Sequence, residues 1–165
     1  RTIICNSLSK TYSITGWRLG YVIAPPEVID RVKKVHDFLT VGAAAPLMEA
    51  VVPGLNFGDD YYIELQNHSN HMKNLFVGGL KNIGLTFTAP QGAYYVMVDS
   101  SEFGYKDDYE FCVDLAEKVG VGAVPGSSFF REDVNQYIRF HFAKKDDTLN
   151  AALERLADIR KILKK

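Results

Sequence analysis

Three features of this sequence predict an α+β fold. Short apolar runs bounded by Gly, Pro and Ser read as strands, above all Tyr137–Ala143, where Ile138, Phe140 and Phe142 alternate with Arg139 and His141. Apolar residues recurring at three- and four-residue steps read as helices, several of them opening on an acidic pair. One such stretch is long: after Asp59-Asp60, the residues Leu65, Met72, Phe76, Leu80 and Ile83 step by 7, 4, 4 and 3, which is one helical face. It stands between an N-terminal and a C-terminal part, and the expected division is residues 1–56 and 57–165.

The elements follow in order. Residues 2–6 read as a short buried strand and Trp17 to Ala24 as a second, with Ser, Thr and Gly16 punctuating the stretch between them. Pro25-Pro26 ends the second strand, and Glu27 begins a helix with Val28, Ile29, Val32, Val35 and Leu39 on one side. Pro46 fits the first turn of another helix, expected to close before Pro53-Gly54. Gly84 is the expected C-cap of the long helix. Leu85–Ala89 and Ala93–Val98 read as strands around the turn Pro90-Gln91-Gly92. Asp107-Asp108 should cap a helix with Cys112, Leu115, Ala116 and Val119 inward, ending at Gly120, and Val121–Val124 should form a short strand. Asp146-Asp147 should cap a single last helix with Leu149, Leu153, Leu156, Ile159 and Leu163 inward. Lys161, Lys164 and Lys165 fall at its negative end.

Composition narrows the function classes. A formal charge of −1 over 165 residues gives no basic excess for nucleic acid or an anionic membrane. No apolar run approaches the roughly 18 residues of a membrane span, and no signal segment opens the chain. Cys5 and Cys112 are far apart and lack metal-ligand spacing, so neither a disulfide framework nor a metal site is expected, and a reducing, cytoplasmic setting is the default. Arg1 leads at once into the strand-like Thr2-Ile3-Ile4-Cys5, which reads as a piece of a longer polypeptide.

The chemistry concentrates in Ser7-Leu8-Ser9-Lys10-Thr11-Tyr12-Ser13-Ile14-Thr15-Gly16-Trp17-Arg18-Leu19-Gly20. A lysine lies in a Ser/Thr-rich loop after an apolar strand, and an arginine follows eight residues later at the start of the next. A nearby cation favours the neutral amine that attacks a carbonyl. A guanidinium fork with hydroxyls suits a phosphate, which it binds through parallel hydrogen bonds. An amine nucleophile beside a phosphate clamp is what pyridoxal phosphate requires. For a bare lysine–arginine pair, solvated side chains would be the better reading.

The whole segment resembles the cofactor-lysine motif of the class I/II aminotransferases, the fold-type I pyridoxal-phosphate enzymes related to aspartate aminotransferase. That motif runs small, apolar, small, lysine, then an arginine eight positions on, an apolar residue and a small one. Ser7, Leu8, Ser9, Lys10, Arg18, Leu19 and Gly20 match each defined position. The resemblance implies that Lys10 carries pyridoxal 5'-phosphate as an aldimine and shuttles the α-proton, and that Ser7, Ser9 and Arg18 hold the cofactor phosphate. Pro90-Gln91-Gly92-Ala93-Tyr94-Tyr95 resembles the family's turn near the substrate, which makes Gly92 a candidate substrate-site residue. Val124-Pro125-Gly126-Ser127-Ser128-Phe129-Phe130 is similar to its Pro-Gly-small-x-Phe loop. Tyr137–Ala143 resembles the strand whose arginine grips the substrate α-carboxylate. Its alternation places Arg139 opposite Ile138, Phe140 and Phe142, free to take a carboxylate bidentately.

The resemblance implies the small domain of an aminotransferase preceded by the last strands and helices of its cofactor-binding large domain. It covers essentially the whole sequence but only the C-terminal part of the family's chain. The family's ring-stacking aromatic residue, its Asn/Tyr pair at the 3′ oxygen and its aspartate at the ring nitrogen lie in the remaining part. The expectation is ping-pong transfer of an amino group between an amino acid, aspartate-like or similar, and a 2-oxo acid by a homodimeric parent, with this piece inactive alone. A carbon–sulfur lyase of the same fold type is one alternative, and a non-catalytic, dimerising module is another.

Other signals carry less. Ser7-Leu8-Ser9-Lys10 also fits the Ser-x-x-Lys pattern of penicillin-binding proteins, but an apolar strand leads into it, Ser-Asp-Asn is missing, and Lys10-Thr11-Tyr12 is not Lys-Thr-Gly. His68 and His71 could share a metal, yet their face is polar and lacks a third ligand, so a solvated face is expected. His36 has no evident partner, and His141 shares the Arg139 side of its strand without an assigned role.

Overall fold

The computed structural model describes residues 2–163. Arg1, Lys164 and Lys165 lie outside the described residues, and with them the expected placing of the last two lysines at a helix end. The chain divides between Tyr61 and Tyr62 into two compact units.

In the first unit, β1 (Ile4–Ser7) and β2 (Gly20–Ile23) pair antiparallel, with Ser7 opposite Gly20. A Cβ on Gly20 would meet the Asn6 carbonyl oxygen at 2.6 Å, so only glycine lets the strands close here. The second strand starts three residues later than expected, because Thr15–Trp17 form a 3₁₀ turn and Arg18 follows in the left-handed region at φ 59°. Then come α1 (Pro26–Thr40) and α2 (Ala45–Leu55). The second of these runs through Pro53-Gly54 rather than closing before them. Proline costs one hydrogen bond there, but its fixed φ is helical and only the last turn is affected.

Leu8, Leu19 and Val51 form a small core, with Tyr12, Ile14, Trp17 and Leu47 packed around it. The strands expected to be buried are exposed along their whole length, and α1 buries no residue. Its Phe38 and Leu39 are 91% and 75% exposed. A two-stranded sheet and a one-sided helix have the apolar pattern of packed elements, but among the described residues nothing covers these faces.

α3 (Asp59–Ile83) begins in the first unit and continues into the second. The remaining elements are β3 (Phe87–Thr88), β4 (Tyr95–Asp99), α4 (Asp108–Asp114), β5 (Val124–Pro125), β6 (Tyr137–His141), α5 (Asp146–Leu156) and α6 (Ile159–Leu163). The strands make an antiparallel sheet in the order β3-β4-β6-β5. Val96 and Val98 on β4, with Ile138 and Phe140 on β6, point to one core with Met72, Phe76 and Leu80 of α3. This is the alternation and the helical face that the sequence pattern dictates.

Three helix readings need correction. α4 passes into a π segment, Leu115–Val119, before Gly120 ends it at φ 75°. Ala116, within this wider turn, is exposed, while Phe111 joins Cys112, Leu115 and Val119 on the buried side. The single last helix is two, broken at Ala157-Asp158, although Leu149, Leu156, Ile159 and Leu163 still face the core. Finally, Asp146 caps nothing; its carboxylate meets His71 Nε2 at 2.8 Å, so His71 is tied to α5 rather than merely solvated.

The end of α3 is the expected one. Gly84 takes φ 80°, and the Leu85 N–H reaches back to the Leu80 carbonyl at 3.1 Å. Arg160 then satisfies the exposed carbonyls of Ile83 and Gly84 at 2.6 and 2.8 Å while pairing with Glu102.

Two measurements check this packing. Burial first, and Asp108 second, push the Cys112 thiol up to about 12, whereas Cys5 is exposed. Thiolate is the reactive form, so iodoacetamide at pH 8 should label Cys5 in the native protein and reach Cys112 only on unfolding, as read by peptide mass mapping. Gly78→Ala has open space around its new Cβ and should raise stability to urea by about 1 kcal/mol, the helix-propensity gain. The neighbouring Gly79→Ala should forfeit that gain, because its Cβ would overlap both terminal methyls of Leu153.

Candidate functional site

The first unit positions four predicted residues in one loop. The Leu8 N–H donates to Leu19 O at 3.1 Å, prolonging the strand pair, and the chain between them folds into turns. Ile14 N–H and the Thr15 hydroxyl both donate to the carbonyl of Ser9, at 2.9 and 3.3 Å. Ser9 is buried and serves this internal network, its N–H donating to Ser7 Oγ at 3.2 Å. Lys10 and Arg18 are exposed and converge on one residue: Lys10 Nζ donates to Thr15 Oγ1 at 3.4 Å and Arg18 Nη1 to Thr15 O at 2.8 Å. Among the described residues, neither cation has a carboxylate partner.

A signal not used in the sequence reading, the aromatic spacing of Tyr12, Phe57 and Tyr61, proves to brace this loop. Tyr12 stacks on Tyr61 with centroids 6.0 Å apart, and Phe57 packs on Tyr61 at 4.7 Å. The Tyr61 hydroxyl donates to Thr11 O at 2.6 Å, next to Lys10. A Cβ on Gly54 would press the Tyr12 ring at 3.2 Å, so the Pro53-Gly54 turn of α2 makes room for it.

In the second unit, Arg139 leaves β6 on the face opposite Ile138 and Phe140. Its guanidinium carbon lies 4.1 Å from the centroid of the Tyr95 ring and 3.9 Å from that of Phe129. The guanidinium thus packs against two aromatic rings, while its N–H groups lie along its edges. No ion pair among the described residues involves it. Gly92 is exposed, and a Cβ there would meet nothing; it is Ala93 that carries the positive φ of this turn, 56°.

His141, two residues on, is held below the usual imidazole range by desolvation first, then by Lys144 and Arg139. It borders a cleft of about 600 Å³ that also touches Phe76, Thr148 and Arg155, and that includes none of the predicted site residues. The chemistry therefore has to be read from the donor sets, not from this cleft.

These donor sets fit the cofactor that the motif implies. An exposed amine and an exposed guanidinium, held together by one threonine and lacking a counter-ion, suit an aldehyde that also bears a phosphate dianion.

Solved structures of aminotransferases share this fold. The N-succinyldiaminopimelate aminotransferase of Mycobacterium tuberculosis superposes with a TM-score of 0.87 at 36% identity, over 95% of this chain and 41% of that one. A methionine aminotransferase from Escherichia coli gives 0.87 at 35%, over 96% and 42%. These are fold-type I enzymes, matched over part of their length. The aminotransferase class I and II profile matches residues 1–156, and the chain belongs to that family, whose members depend on pyridoxal phosphate. Among curated relatives, an aspartate aminotransferase of Pyrococcus horikoshii is 33% identical over 94% of this chain and 40% of its own. The chain thus spans about two-fifths of the length of the relatives it matches, 42% for the probable N-succinyldiaminopimelate aminotransferase.

A depressed His141 binds fewer protons folded than unfolded. Its contribution to stability is present above the ordinary value of about 6.5 and is lost as pH falls through the lowered one. His141→Asn should therefore lessen the drop in urea midpoint between pH 7.5 and 5.5 relative to the parent sequence. An unchanged drop would place the acid sensitivity elsewhere.

Proposed function

We propose that this chain supplies the cofactor lysine and the carboxylate-binding arginine of a pyridoxal-phosphate-dependent aminotransferase, a homodimeric cytoplasmic enzyme. Its reaction moves an amino group between an amino acid, aspartate-like or similar, and a 2-oxo acid. The observation that carries this reading is the convergence of Lys10 and Arg18 on Thr15 with no counter-ion among the described residues, inside a segment that matches the family's motif throughout.

Pyridoxal phosphate, when bound, supplies an aldehyde and an electron-withdrawing ring that makes the α-proton of an amino acid acidic. Lys10 is the attachment residue, and its Nζ takes and returns the proton at the substrate Cα. Arg18 and the Ser7 hydroxyl bind the phosphate, with Ser9 beneath them fixing the loop. Arg139 takes the substrate α-carboxylate along its free edge, and the turn at Gly92 borders the substrate. The exposed apolar residues Phe38, Leu39 and Val41 support burial against a second subunit or further chain. Two free cysteines fit a reducing compartment, and among the described residues no helix is long and apolar enough to cross a membrane.

The test is addition of pyridoxal phosphate, borohydride reduction and peptide mapping. Label fixed on Lys10, and absent from Lys10→Ala, is the expected result. Label spread over surface lysines and indifferent to that substitution would overturn Lys10 as the attachment point.

A further inference from the structure

Phe129 covers one face of the Arg139 guanidinium, yet it is itself 49% exposed. Apolar burial therefore does not fix its position, and the backbone that carries it must. That backbone is the 3₁₀ turn Gly126–Phe129, which follows β5. One end is pinned by strand pairing, with Val124 opposite Arg139 and Pro125 opposite Ile138. Gly126 then lies so close to β6 that an added Cβ would overlap the Tyr137 carbonyl. The middle of the turn is held by Asp108, the first residue of α4, which is 1% exposed. One carboxylate oxygen accepts the Ser127 N–H at 2.6 Å and the other accepts the Ser127 hydroxyl at 2.9 Å.

A buried carboxylate gains little net stability, because its desolvation offsets its hydrogen bonds. Both oxygens of Asp108 are nevertheless engaged by a single serine. That arrangement fixes a turn in position and orientation. The second ring on Arg139, that of Tyr95, is oriented by its hydroxyl, which donates to Tyr94 Oη at 2.9 Å. Aromatic rings packed against a guanidinium restrict its orientation, and its edges carry the paired N–H groups that match a carboxylate.

We infer that Asp108 is a positioning residue: through Ser127 it sets Phe129 against Arg139, so that the guanidinium edge is pre-aligned for a carboxylate. This deepens the reading of Arg139 as the carboxylate-binding residue and rests on it.

The test measures, in the full-length enzyme, affinity for a substrate-like carboxylate divided by affinity for its neutral carboxamide. A loss of folding lowers both affinities, whereas misalignment of Arg139 lowers the ratio. Ser127→Ala and Asp108→Asn should each lower the ratio roughly tenfold, within the range that small misplacements cost. Ser127→Thr, which keeps the hydroxyl, should stay near the parent value. Phe129→Leu removes the ring without touching the buried anchor and should lower the ratio as well, so the inference is tested even if Asp108→Asn fails to fold. An unchanged ratio in Ser127→Ala and Phe129→Leu, with a reduced one in Arg139→Lys, would overturn the positioning role and leave the carboxylate reading intact. An unchanged ratio in Arg139→Lys would overturn both.

Discussion

A cation can take an incoming anion only where no carboxylate of its own chain has already claimed it. Lys10, Arg18 and Arg139 are among the described residues that meet that condition, and each is held by neutral groups instead: a hydroxyl, a backbone carbonyl and two aromatic faces. Other cations are used differently. Arg160 pairs with Glu102, Lys118 with Asp114 and Lys161 with Asp158, and these pairs tie elements together or sit on helix surfaces. The contrast is between cations tied to a carboxylate and cations held by neutral groups. Neutral partners fix a side chain's direction without cancelling its charge, and this is the physical requirement of an anion site.

Holding Arg18 in this way has a local cost. Arg18 sits in the left-handed region, which for a residue with a Cβ costs about 1–2 kcal/mol, and its side chain folds back onto its own turn. Strain of this kind persists only where the surroundings over-determine it. Here they do: the Leu8–Leu19 contact, the close approach at Gly20 and the hydrogen bonds to Ser9 O leave the loop few alternatives. The Tyr12, Phe57 and Tyr61 rings brace it from outside.

What could be read from the sequence was whatever depends on neighbours in the chain. The alternation of β6, the apolar face of α3 and the cap at Gly84 follow from local periodicity and turn chemistry, and so does the orientation of Arg139. The resemblance of Ser7–Gly20 to the family's cofactor-lysine motif was legible because all its members lie within fourteen residues. Contacts between distant residues left no trace in the pattern. Asp108 has the look of a helix cap, and nothing in its surroundings announces Ser127, nineteen positions on. Tyr95 and Phe129 read as ordinary sheet and loop aromatics until the fold sets Arg139 between them. Burial of β1, β2 and α1 was misread for a different reason. An apolar pattern records what an element is built to pack against, and here that partner is not among the described residues.

The two devices also differ in how much of their support each unit provides. Around Arg139, the pairing of β5 with β6, the Asp108 anchor and both rings belong to the unit with the larger core, which includes Phe76, Leu80, Leu115 and Leu156. Around Lys10, the buried apolar support is Leu8, Leu19 and Val51, beside strands with open faces. Stability tracks buried apolar contact, and local opening concentrates where that contact is sparse. The surroundings of Arg139 are therefore the more self-sufficient of the two. The lysine loop has its hydrogen bonds in place but little mass behind it, so its rigidity depends more on whatever covers β1, β2 and α1.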